Sequence, residues 1–290
     1  MSDSVHASQE LMVSAFDELW GLFDLVGRSL SESDWALPTR LPTWTIHDVF
    51  AHLIGTEQMM AGVAVPSAPP MDSTASAAHI RNEIGSTNEA WVKSRRGLLP
   101  SELLEDFSRV TAARMATLRA MRMEALNEEA WTPIGVETFG RLLRIRVFDV
   151  WVHALDVTSA LQEYHDEFWI GPDGVLNSLR IATALAVDEM AESLSFVVGK
   201  RVGARLGTSV AFRIEGTSAR RLDVVVEGRA RLVSHAVARP TATLTLDAGT
   251  LGALFSSRVA VHSVLESGRL SLDGDVALAR AVAENLGFVL

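Results

Sequence analysis

The sequence predicts an α + (α+β) protein, with a helical bundle through about residue 200 and a smaller α+β domain over 201–290. Three observations carry that reading. At 290 residues the chain is long for one hydrophobic core. Up to Lys200 its apolar residues recur largely at three- and four-residue spacing, the period of a helix. Beyond Lys200 the texture changes to short alternating or β-branched runs cut by glycine and proline, the pattern of strands.

Taken in order, residues 4–30 read as an amphipathic helix, and SESDWALPTRLPTW after them as turns. Thr45 is an N-cap with Asp48 three residues on, opening a helix through about Met60. The prolines and serines of VAVPSAPPMDSTAS mark a loop, and helices follow over about 79–97 and 101–125. NEEAWTPIGVETFG, 126–139, is a connection into a helix over about 140–161. The loop QEYHDEFWIGPD then precedes a long helix over about 173–199. In the second domain AFRIEG, RLDVVVEG, ARLVS and ATLTLD read as strands. The helical runs AGTLGALFSS and DVALARAVAENLG bracket a further strand, RLSLDGD, and no internal repeat is present.

Composition narrows the function. A net charge of −10 argues against nucleic acid or an anionic membrane surface as a partner. No apolar run reaches the ~18 residues of a membrane span. The start, MSDSVHASQE, lacks the basic-then-apolar order of a signal peptide, so the expected location is the cytoplasm. The chain has no cysteine, which removes disulfides, thiolate zinc sites and cysteine nucleophiles together. Any thiol chemistry needs a thiol brought in from outside. Of 26 basic residues only Lys93 and Lys200 are lysine, and alanine is abundant, which points to a GC-rich bacterial genome.

One segment stands out chemically. RVFDVWVHALDV, 146–157, is almost wholly apolar yet carries Asp149, His153 and Asp156, which share one helical stripe at spacings of four and three. A carboxylate and an imidazole facing a core need partners, and a divalent cation is one that satisfies both. The plain alternative is an Asp–His hydrogen bond, or an ion pair from Asp149 to Arg146. A second histidine, His52, sits among Val49, Phe50, Leu53 and Ile54 in IHDVFAHLIG, where the alternative is a satisfied core histidine. Helical bundles assemble metal sites from inward side chains of facing helices. Two histidines and a carboxylate would leave an open coordination position, as catalytic sites do. The sulfur-free donor set fits zinc, with nickel, manganese and iron as other candidates.

LPTWTIHDVFAHLIG and FGRLLRIRVFDVWVHALDV together resemble the mycothiol-dependent maleylpyruvate isomerase family. ATLTLDAGTLGALF followed by GRLSLDGDVALARAVAENL resembles the sterol-carrier-type domain that completes that architecture. The resemblance implies a DinB-like four-helix bundle with a divalent metal at His52, Asp149 and His153, and mycothiol as cofactor. The isomerase has glutamate where this chain has Asp149. The shorter side chain requires a closer helix or a bridging water. In the family a cofactor thiol reaches the metal's open position, and the resulting thiolate would add to an activated double bond or displace a leaving group. A GC-rich composition accords with the actinobacteria that make mycothiol. The resemblance also implies a functional arginine in the second domain. Arg258 in LFSSRVAV is its positional match, with Ser257 where the family has glycine.

Other residues carry two readings. Asp156 orients the His153 ring, or faces solvent or another helix. Arg146 holds an anionic substrate, or neutralises Asp149. His47 and His79, near helix starts, read as surface residues, and Trp35, Trp44, Trp131, Trp151 and Trp169 as packing rather than a ligand cage. There is no G-x-S-x-G elbow, P-loop or G-x-G-x-x-G. The leading expectation is a metal-dependent isomerase or S-transferase acting on a small electrophilic substrate with a small-molecule thiol, a homodimer being the assembly to test. The competing expectations are a carrier of apolar ligands and an interaction scaffold without metal.

Overall fold

The computed structural model describes residues 9–67, 82–165 and 172–287. His79 and Trp169 lie outside them. By internal contacts the chain divides into two compact units, the first running through Ser178 and the second from Leu179.

In the first unit four long helices form a bundle: α1 (Gln9–Ser29), α2 (Ile46–Met60), α4 (Pro100–Ala120) and α5 (Phe139–Tyr164). They pack in a closed cycle, α1 on α4, α4 on α2, α2 on α5 and α5 on α1. Their starts follow from local chemistry. Thr45 and Asp48 form the expected capping box, each side chain accepting the other's backbone N–H, at 3.3 and 3.1 Å. Pro100 occupies the first turn of α4, where its missing N–H costs nothing. Thr138 caps α5 through the N–H of Arg141.

Aromatic rings fill the centre. Phe107 of α4 lies 5.7, 6.0 and 5.2 Å from the rings of Trp20, Phe23 and Phe50. The short helix α3 (Glu83–Lys93) is laid against α2 at Gly55. A Cβ added there would stand 2.5 Å from the Cβ of Trp91, so only glycine lets the two helices approach this closely.

The second unit is α+β. Its sheet has strand order β5-β4-β3-β6-β7, formed by β3 (Ser209–Glu215), β4 (Arg220–Glu227), β5 (Arg229–Val233), β6 (Ala242–Asp247) and β7 (Leu270–Gly274). Pairing is antiparallel except between β3 and β6. Helix α7 (Arg180–Phe196) packs on β4, β5 and α8 (Ala248–Phe255), while α10 (Val276–Glu284) packs on β6 and β7.

Several expectations are revised. The helix expected over 173–199 is broken at Leu179 into α6 (Pro172–Ser178) and α7, and α7 belongs to the second compact unit. Residues 126–139, expected as a plain connection, hold the hairpin β1 (Glu129–Thr132) and β2 (Gly135–Thr138), whose four-residue strands are too short to show alternation. The helix expected to reach about 125 ends at Ala120. A short helix α9 (Val261–Glu266) was not foreseen. Among the described residues no helix is long and apolar enough to cross a membrane.

The packing predicts two stability losses, read by chemical denaturation. Phe107→Ala lowers unfolding free energy by about 3–5 kcal/mol through its cavity. Gly55→Ala costs about 1–3 kcal/mol by forcing α2 and α3 apart.

Candidate metal centre

Helix α2 brings His52 and helix α5 brings Asp149 and His153 to one point inside the bundle. One ligand atom from each of the three lies within 4.8 Å of the others. Nε2 of His52 is 3.3 Å from Asp149 Oδ2, and Nε2 of His153 is 3.5 Å from Oδ1. The two rings meet edge to face at 4.8 Å between centroids. Both histidines are buried, at 3% and 5% exposure, whereas the Asp149 side chain is 35% exposed.

The surroundings of the three differ. Nδ1 of His153 faces Asp156 Oδ2 at 3.2 Å, and Asp156 is buried rather than turned to solvent. An imidazole held at Nδ1 by a carboxylate presents Nε2 in a fixed direction. Nδ1 of His52 is buried and has no protein hydrogen-bond partner among the described residues. Arg146 donates to Asp149 through Nη1, to Glu57 through Nε at 2.9 Å, and to the Leu53 carbonyl through Nη2 at 3.3 Å. It is itself buried, so its contacts are those of a neutralising residue and leave it unavailable to an anionic substrate. Glu57 in turn accepts from Arg114. Opposite charges thus alternate through the core from Arg114 to Glu57, Arg146 and Asp149.

These contacts set the protonation of the site. Burial pushes His52 down to about 4, against the pull of Asp149, which leaves a neutral imidazole able to act as a ligand. Burial opposes charge on His153 too, but its hydrogen bonds to Asp149 and Asp156 outweigh that and raise it. Burial would also push Asp149 up, yet Arg146 and the two imidazoles hold its carboxyl well below the usual range.

The donor set fits a divalent cation. Ligand atoms about 2.1 Å from a tetrahedral zinc ion stand about 3.4 Å apart. Each imidazole lies that near one of the two carboxylate oxygens, His52 at 3.3 Å from Oδ2 and His153 at 3.5 Å from Oδ1, and one ligand atom from each of the three residues falls within 4.8 Å of the others. The Asp149–Arg146 pair offered by the sequence as the plain alternative is also present, engaging Oδ2.

The remaining candidates fall elsewhere. Arg258 belongs to the second compact unit, where it lines a cavity of about 470 Å³ with His262, Arg280 and Glu284 among others. The backbone at Ser257 is left-handed, φ 56°, which is the physical reason glycine suits that position. His47 is half-buried rather than on the surface, its Nε2 3.1 Å from the Leu98 carbonyl. Trp35, Trp44 and Trp151 are buried as expected, but Trp131 is 68% exposed on the hairpin.

Sequence reasoning passed over Glu57, Arg114 and Glu89, and read Trp44 only as packing. The first two had a signal: each is a charge on a stripe that is otherwise buried, Val49-Leu53-Glu57 on α2 and Phe107-Thr111-Arg114-Leu118 on α4. Removing the shared carboxylate should be severe. Glu57→Ala strands the Arg114 guanidinium in the core and should cost about 3–5 kcal/mol in chemical denaturation.

Residues 16–158 match the family model described as the mycothiol maleylpyruvate isomerase N-terminal domain, and residues 192–286 match the SCP-2 sterol transfer family. Among solved structures, the mycothiol-dependent maleylpyruvate isomerase is similar at 13% identity and a TM-score of 0.54, over 91% of this chain and 92% of that one. An alanine mutant of the same isomerase is similar with the same values. No curated protein matches the chain. Bundle and sheet domain are thus both accounted for, and the chain belongs to the mycothiol-dependent maleylpyruvate isomerase family.

Proposed function

We propose that this protein is a divalent-metal-dependent enzyme that uses a low-molecular-weight thiol, mycothiol or a close relative, as nucleophile for isomerisation of, or S-transfer to, a small electrophilic substrate. The observation that carries the reading is the convergence of His52, Asp149 and His153 inside the bundle of a chain without cysteine. The two imidazoles and the carboxylate would hold the cation, zinc being the best match to the donor set, ahead of nickel, manganese and iron. A dication bound there favours thiolate over thiol and so supplies a strong nucleophile at neutral pH.

The chain's own residues prepare that chemistry. Asp156 holds His153 from behind, fixing which nitrogen faces the site. Arg146 holds Asp149 from the side and balances its charge. The burial of both histidines keeps bulk water away from the imidazole side of the site. Arg258, the arginine that the family resemblance singles out, is assigned to an anionic group of the substrate, which a guanidinium binds in two-point fashion.

Metal analysis tests the reading: about one divalent ion per chain in the wild type, lost in His52→Ala. A screen of mycothiol with small activated alkenes and alkyl halides should then show metal-dependent turnover. A carrier function has one observation in its favour, the match of residues 192–286 to a sterol transfer family. Solvent-extractable lipid co-purifying with a protein that has no thiol-dependent turnover would favour it.

A further inference from the structure

The two imidazoles at the site are not held alike. His153 has Asp156 behind its Nδ1, at 3.2 Å, but no protein group accepts a hydrogen bond from His52 Nδ1 among the described residues. What lies against His52 is Trp44. Its indole lies tilted against the His52 ring, at 5.2 Å and 43°, and stacks on the His153 ring at 6.0 Å and 25°.

Trp44 is itself fixed at three points. Its Nε1 donates to Glu89 Oε2 at 3.2 Å, and Glu89 is 3% exposed and held in turn by Arg96 at 3.5 Å and Lys93 at 3.8 Å. Its backbone is pinned in a tight turn, the N–H donating to the Leu41 carbonyl and the carbonyl accepting from Thr39. The residue before it, Thr43, stands at φ 70°, a left-handed conformation that is strained for a β-branched side chain. Strain of that kind persists only where the surrounding structure enforces it.

We propose that Trp44, locked by Glu89, is the positioning residue for His52, holding by packing an imidazole whose Nδ1 no carboxylate holds. The proposal rests on the reading of the site as a divalent-cation centre. It links a third helix, α3, to a site whose ligands all come from α2 and α5.

The test uses the metal-free full-length protein titrated with cobalt(II), following both uptake and tryptophan emission. Wild type should bind about one ion with marked quenching, since Trp44 lies beside the ligands. Trp44→Phe and Glu89→Leu should each bind cobalt about ten-fold more weakly, the lower end of the loss seen when support behind a metal ligand is removed. Glu89→Gln, which keeps an acceptor for the indole N–H, should stay within about two-fold of wild type. Trp44→Phe should also lose much of the quenching. A purely structural role would lower the melting temperature of Glu89→Leu while leaving the affinity of the folded protein unchanged, and that result overturns the proposal. Undiminished quenching in Trp44→Phe overturns it as well. No cobalt uptake by wild type sinks the cation reading itself, an outcome distinct from normal uptake with unaffected variants.

Discussion

A carboxylate can face the inside of an apolar bundle only if its charge is met, and here Arg146 meets it. An unpaired ion in such surroundings costs several kcal/mol, so Asp149 stays ionised because a guanidinium one turn earlier on the same helix lies against it. Arg146 is buried too and brings the same problem with it. The solution is an alternating run, Arg114 to Glu57 to Arg146 to Asp149, crossing from α4 through α2 to α5. Each charge is the counter-ion of its neighbours. The site is therefore joined to the helix packing: the residues that make the bundle electrostatically tolerable are those that hold the carboxylate in place.

The same logic explains how much of the site the sequence discloses. Asp149, His153 and Asp156 are conspicuous because polar side chains on one helical stripe sit in an otherwise oily segment, and His52 because its neighbours Val49, Phe50, Leu53 and Ile54 all want burial. Glu57 and Arg114 obey the same rule and were legible in principle. Glu89 was not, and Trp44 was legible only as a packing residue, because neither is out of place locally. A tryptophan in a turn and a glutamate on a short amphipathic helix come together beside the site only when α3 folds against α2, joining Trp44 to Glu89 across 45 residues of chain.

The fold shows a parallel division. Long helices and β-branched strands are visible by period, so α1, α2, α4, α5 and the strands β3 to β7 stand close to where the sequence puts them. Period does not say what an apolar helix packs against. The buried face of α7, Ala182, Ala186, Met190 and Leu194 among others, would suit a bundle as well as a sheet, and only the contacts place it on β4 and β5. The hairpin β1–β2 fails for the opposite reason, its four-residue strands carrying no period long enough to read.

Exposure within the cluster gives it a direction. His52 and His153 are nearly closed to solvent, with the Trp44 ring lying against both, whereas the Asp149 side chain is about a third exposed. A molecule coming from solvent therefore meets the carboxylate before either imidazole. Oδ2 of that carboxylate is occupied by Arg146, so the oxygen left with the fewer partners is Oδ1, the one facing His153. An aspartate held in this way offers a ligand one oxygen in a set orientation, where a longer glutamate would have more freedom to swing. The short side chain and its arginine neighbour belong to one arrangement, with the guanidinium beside the carboxylate balancing its charge at the edge of the core.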